Sequence, residues 1–213
     1  MAGQNPIDTP LYAVGGRYDI VARHVLGIEG GLSSLPADHG GITNYGTSLR
    51  FLQAEGRIDA WVANNYDLDG DGDLDGADIR KLTPEEAVNL FYHCIWCREL
   101  RMDLQTIPAP LDGAVFDQAV NDGSVAAIKL LQTALNRFVV GNPIGVDGAF
   151  GPQSFQRLGV ALKAGDPSAA MGRLLAYYRQ AAEDRYNAIV RADPSQVEFL
   201  AGWVARARSL GDV

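Results

Sequence analysis

Residues 67–78 read Asp-Leu-Asp-Gly-Asp-Gly-Asp-Leu-Asp-Gly-Ala-Asp, six carboxylates within twelve residues. Charges of one sign packed so closely repel, so the chain folds through this stretch only if the loop gathers a cation or stays fully solvated. The spacing favours a cation. Asp67, Asp69, Asp71, Asp75 and Asp78 occupy positions 1, 3, 5, 9 and 12 of a calcium loop, and Asp73 at position 7 offers its backbone carbonyl. Gly72 stands where such a loop turns sharply, and Leu74 is its apolar anchor. The last ligand is Asp78 rather than the usual glutamate. Its shorter reach weakens Ca2+ affinity and relaxes selection against Mg2+. The loop occurs once, which argues against a paired calcium sensor. One structural Ca2+ is expected, with folding and ion binding coupled.

A loop of this kind needs helices on both sides, and the chain supplies them. Segments 58–66 and 77–82 fit the entering and exiting helices. Thr83-Pro84-Glu85-Glu86 is a capping box with proline at the first helical position, opening a helix to about Leu100. Thr47-Ser48 can cap a helix through Phe51 and Leu52 to Gly56. Further helices are expected over 111–121, 124–138, 152–163, 168–191 and 195–209. The Ile107-Pro-Ala-Pro110 stretch marks a boundary. Sustained alternation is nearly absent, apart from a short hairpin arm over 41–46. The fold should be mainly α with one small β-hairpin.

Composition narrows the function. The 213 residues are 47% hydrophobic, enough to bury a core, and no run is apolar enough to span a membrane. The first ten residues are polar and read as a loosely packed arm, not a secretory signal. Net charge is −8. Residues 1–100 hold seven Lys/Arg against fifteen Asp/Glu, whereas residues 101–213 hold eleven of each. An acidic chain without a basic stripe or aromatic platform is a poor nucleic-acid binder. Cys94 and Cys97 form a lone CxxC in a helical pattern. His24 and His93 are not spaced to complete a zinc site, so buried thiols are expected.

Chemistry concentrates at Glu29. Ile20, Val21, Val25 and Ile28 fall on one helical face, with Arg17, Asp19 and Arg23 off it. Gly30-Gly31 can end that helix, which leaves Glu29 in its last turn. The negative helix end and partial burial both raise a carboxyl pKa, which suits a general acid. Asp38 lies nine residues on in a glycine-rich turn. It is either the partner carboxylate that acts as base or a turn-capping residue. Thr43 offers a hydroxyl that could hold the attacking water.

The residues Glu29-Gly30-Gly31, Gly40-Gly41, Thr43-Asn44-Tyr45-Gly46 and Ser48 resemble glycoside hydrolase family 108, N-acetylmuramidases of phages and bacteria. The Glu, Asp, Thr order is similar to that of phage-type lysozymes. The second half is similar to the predicted peptidoglycan-binding domain that follows the family 108 region. It matches at Val115-Phe-Asp117-Gln-Ala-Val-Asn121-Asp-Gly123, Leu130-Leu-Gln132, Val146-Asp147-Gly148-Ala-Phe-Gly151-Pro152 and Phe199-Leu-Ala-Gly202-Trp203.

The resemblance implies a lysozyme-like helical fold with the hairpin beside the active site. It implies an N-terminal arm at 1–18, a catalytic region at 19–108 carrying an inserted EF-hand-like loop at 67–78, and a helical peptidoglycan-binding region at 109–213. Glu29 would protonate the glycosidic oxygen, Asp38 would activate or stabilise, and Thr43 would position water. Asn44, Tyr45, Asp117 and Asn121 would contact substrate. Asp117 and Asn121 share a helix face, and a helix end with a capping Asn reads them equally well. Asp147-Gly148 could be only a turn, and Trp96 and Trp203 could be core.

The implied enzyme is an endolysin-like muramidase that cleaves the β-1,4 bond between N-acetylmuramic acid and N-acetylglucosamine in bacterial peptidoglycan. The resembled Glu, Asp, Thr order favours inversion over retention, a choice that the carboxylate separation decides. Such an enzyme is a monomer made in the host cytoplasm, and it reaches the wall through a separately encoded pore to lyse the cell. The alternatives are a lytic transglycosylase and a non-catalytic, calcium-dependent wall-binding module.

Overall fold

The computed structural model describes residues 16–29, 41–102 and 107–213, with backbone only at 26–29. Contacts divide the chain into two compact units, residues 1–98 and 99–213. Both are helical, and the described residues contain one two-stranded sheet. This is the mainly α architecture with a small hairpin that the sequence leads one to expect.

The first unit opens with α1 (Arg17–Glu29). Its buried stripe is Tyr18, Val21, Ala22 and Val25. Ile20, expected on that stripe, is instead 56% exposed. Counting three and four residues back from Val25 reaches Ala22 and Val21, and the next turn is closed by the larger Tyr18. The Tyr18 hydroxyl donates to the Val88 carbonyl at 2.6 Å, and its ring packs on Tyr92 and Trp96.

The hairpin is β1 (Thr43–Asn44) and β2 (Thr47–Ser48), antiparallel with Thr43 opposite Ser48. Its two-residue turn, Tyr45-Gly46, has φ of 47° and 75°. That is the primed turn whose twist suits a tight hairpin, and glycine meets half of its demand at no steric cost. Ser48 then caps α2 (Leu49–Ile58), accepting from the Phe51 N–H at 3.1 Å.

Asp59 ends α2 and caps α3 (Ala60–Asn65). After the acidic loop come α4 (Gly76–Lys81) and α5 (Pro84–Phe91). The reciprocal capping box of Thr83 and Glu86 is present as expected. Beyond Phe91 the helix widens into a π-helical segment, Tyr92–Glu99.

The second unit contains α6 (Leu111–Asp122), α7 (Ser124–Phe138), α8 (Pro152–Leu162), α9 (Pro167–Ala192) and α10 (Leu200–Ser209). A 3₁₀ turn, Pro194–Phe199, precedes α10 and replaces the first part of the helix expected over 195–209. Helix α9 packs on both α7 and α10. Phe116, Leu131, Leu135, Leu174, Tyr178 and Leu210 are buried among them. Arg157 on α8 is buried and donates to the Leu135, Gly141 and Asn142 carbonyls and to Val139. Those groups include acceptors left open at the end of α7, which explains a buried arginine without a carboxylate.

Candidate functional site

The helix that carries Glu29 is fixed by the Tyr18 contacts at its other end. Glu29 is the last residue of α1. Its side chain and the whole of Asp38 lie outside the described residues. Thr43 is half-buried on β1, and Tyr45 sits half-buried at the hairpin tip.

Asn44 departs from expectation. It is only 6% exposed, and its amide donates to the Ile79 and Leu82 carbonyls at 3.0 and 3.2 Å. Those carbonyls lie at the end of α4, where helical acceptors lack partners. Asn44 therefore ties the hairpin to α4 and is not presented to substrate. Thr47, directly opposite, is fully buried, and its hydroxyl has no partner among the described residues.

The acidic loop holds its shape through its own backbone. Asp67 accepts from the N–H groups of Gly70, Asp71 and Gly72 at 2.8–3.1 Å. Gly72 has φ of 96°, the sharp turn expected of it. Asp78 is fully buried and accepts from Leu68, Asp69 and Asp75. Asp75 caps α4 and forms a reciprocal capping box with Asp78.

The carboxylates gather as two triads, Asp67–Asp69–Asp71 and Asp73–Asp75–Asp78, each with ligand oxygens within 4.8 Å of one another. Repulsion from Asp71 pushes the Asp73 carboxyl above its ordinary pKa, with desolvation adding to it. Desolvation raises Asp69, and Asp71 and Asp78 raise it further. An array of hard oxygen donors gathered this closely fits a divalent cation. The anchor residue Leu74 seats against α2, where a Cβ on Gly56 would lie 2.3 Å from Leu74 Cδ1.

One polar cluster is not foreshadowed by the sequence. His93 Nε2 lies 2.7 Å from Asp59 Oδ2, and Arg98 Nη1 donates to that same oxygen at 3.3 Å. Arg98 also pairs with buried Glu55. The His93 ring lies 4.2 Å from that of Trp61. An ordinary α-helix would splay residues 93 and 98 apart. The wider i→i+5 winding brings both to one carboxylate. The hydrogen bond from His93 holds the Asp59 carboxyl below its usual pKa. Cys94 is buried beside this cluster, and burial pushes its thiol well up, as suits an inert buried cysteine. Trp96 is buried core.

In the second unit Asp117 is 2% exposed and pairs with Arg206 at 2.5 Å. It joins α6 to α10, so the expected substrate contact is corrected to a packing role. Asn121 remains exposed, with its amide donating to the Tyr186 hydroxyl at 2.9 Å. Asp147 accepts from Gln132 at 2.7 Å and from the Ala149 N–H at 2.9 Å, and Gln132 Oε1 accepts from the Gly148 N–H. The Asp147-Gly148 pair is a clamped turn. Trp203 is half-buried and stacks with Tyr186 and Phe199, at ring-centroid distances of 5.4 and 5.7 Å.

The family model described as glycosyl hydrolase 108 matches residues 22–123. The model described as a predicted peptidoglycan domain matches residues 126–208. Helix α6 thus falls within the first model while packing in the second compact unit. A solved structure described as that of Brucella abortus SagA is similar in fold, with a TM-score of 0.64 and 24% identity. The match covers 92% of this chain and 91% of that one. No curated protein matches this chain.

Proposed function

With residues 22–123 matching the glycosyl hydrolase 108 model and residues 126–208 the predicted peptidoglycan domain, we propose that this chain is a muramidase that hydrolyses bacterial peptidoglycan. The order of those two domains on one chain carries the reading. The bond cut is the β-1,4 linkage from N-acetylmuramic acid to N-acetylglucosamine.

Glu29, the last residue of α1, is the proton donor to the leaving oxygen. Asp38 activates or stabilises, and Thr43, with Tyr45 at the hairpin tip, orients water and sugar. Asn44 supports them by fixing the hairpin to α4.

The acidic loop takes one Ca2+ through Asp67, Asp69, Asp71, Asp75 and Asp78, with the main chain of Asp73. Its role is structural: the bound charge relieves the repulsion among these groups and stiffens the link from loop to α4 to hairpin. The same reading sets the enzyme in phage-driven host lysis, where it meets its substrate, and abundant calcium, outside the cytoplasm.

Mass spectrometry of muropeptides released from purified peptidoglycan tests the proposal. Reducing N-acetylmuramic acid ends are expected, and Glu29→Gln should lower their release at least about 100-fold. Anhydro ends would make the protein a lytic transglycosylase, and no release would leave a binding module. Near-normal turnover by folded Glu29→Gln would remove that residue from catalysis.

A further inference from the structure

The second unit carries a surface groove of about 500 Å³ between α7 and α9. Its floor is small and apolar, with Leu130 from α7 and Ala181, Ala188 and Ile189 from α9. Along its α7 edge stand Lys129, Thr133 and Arg137, four residues apart and so on one helix face. Arg185 stands on the α9 side. Arg137 is held by Asp184 at 2.7 Å, and Arg185 by Asp122. Lys129 is exposed, and its charge helps hold the nearby Asp147 carboxyl low. The Thr133 hydroxyl donates back to the Lys129 carbonyl, which leaves its oxygen able to accept. The charged side chains lining the groove are three cations, Lys129, Arg137 and Arg185, and one carboxylate, Asp184.

We infer that the groove is a subsite for the peptide stem of peptidoglycan, on the muramidase reading given above. A stem is a short acidic peptide rich in alanine. Its methyl groups match the alanine-lined floor, and its free carboxylates match Lys129 and the two arginines, which present fixed donors. A glycan fits less well, since the groove is lined by no aromatic side chain on which a sugar could stack. The second unit would then read the peptide while the catalytic region cuts the glycan.

Binding of two probes to the full chain tests this: a synthetic stem pentapeptide, and glycan strands stripped of stems by an amidase. The pentapeptide should bind, and Lys129→Glu should weaken it about fivefold, the upper range for one exposed charge. Ala188→Trp, which fills the floor from an exposed position, should weaken it comparably, so the conclusion does not depend on one variant folding. Amidation of the peptide carboxylates should mimic Lys129→Glu. The inference is overturned if the pentapeptide fails to bind at millimolar concentration or if both folded variants bind it as well as the original chain. It is equally overturned if the variants impair only binding of stripped glycan. Release of reducing ends from stripped glycan reports on the muramidase reading alone, so the two ideas fail separately.

Discussion

Five carboxylates of the second unit and those of the acidic loop are satisfied in opposite ways. In the second unit each of Asp117, Asp122, Glu183, Asp184 and Asp212 faces an arginine from another element: Arg206, Arg185, Arg208, Arg137 and Arg179 in turn. In the first, the loop carboxylates of Asp67 and Asp78 are satisfied by backbone N–H groups instead. Lys81, the loop's near cation, donates to the Leu68 carbonyl. The effect on protons follows. Burial pushes the Asp184 carboxyl up, but hydrogen bonds from Arg137 and Gln180 outweigh it and hold the group low. Asp73 is pushed up by its neighbour Asp71. Those five carboxylates of the second unit are matched by arginines of that unit, whereas the loop carboxylates lean on the backbone and repel one another.

The comparison is most severely strained by removing the arginine from a buried pair. Asp117 and Arg206 side chains are 3% and 11% exposed. Arg206→Ala strands a carboxylate in the core, which costs about 3–5 kcal/mol. Chemical denaturation should show it as a large fall in midpoint. A loss below about 1 kcal/mol would mean that water reaches Asp117 and that the pair is not closed.

Calcium is the counterpart test for the loop. A ligand that binds only the folded state adds about 2.7 kcal/mol at a hundredfold excess over its Kd. Chelator should lower the melting temperature and calcium should restore it. Asp67→Ala combined with Asp69→Ala should erase the response. Identical melting curves with and without chelator would put the loop on the same self-sufficient footing as the second unit.

How far the sequence foretold these arrangements depends on how local their causes are. Ser48, the Thr83–Glu86 box and Tyr45-Gly46 act within a few residues, and each does in the structure what its chemistry predicts. Gly72 and Asp75 in the loop are equally local. Asp117 finds its partner 89 positions away, and Asn44 finds acceptors 35 and 38 positions away. No pattern around either residue announces that. The π-helical segment was hidden for a related reason, because Tyr92–Glu99 carries an apolar pattern that an α-helix explains equally well. Its consequence, His93 and Arg98 meeting at Asp59, appears only once the winding is known. For Glu29, the last residue of α1, the sequence remains the source.

A smaller effect distinguishes a carboxylate paired within the first unit from those of the loop. Asp59 is held below its usual pKa chiefly by the hydrogen bond from His93. Its unfolded value is about 3.9, so the stability it contributes is complete above that and is lost as pH falls through the lower folded value. Asp59→Asn, which keeps a capping oxygen for α3, should flatten the acid limb of stability against pH. The variant and the original chain should be compared below about pH 4 in chelator, so that calcium release does not enter, and an unchanged acid limb would show that Asp59 is not proton-linked.

The finest test lies within one helix. Arg206 and Arg208 both stand in the last turn of α10, and both reach a carboxylate on another helix. The difference is exposure: the Arg208 side chain is 68% exposed, against 11% for Arg206. In water the attraction between Arg208 and Glu183 is largely offset by the entropy of ordering a long side chain, and salt screens what remains. Arg208→Ala should therefore cost no more than about 0.5 kcal/mol, several times less than Arg206→Ala. Added salt should shrink even that, while leaving the Arg206→Ala deficit nearly unchanged. If the two variants lose comparable stability, burial does not set the value of these pairs, and the second unit is a charge network that responds as a whole.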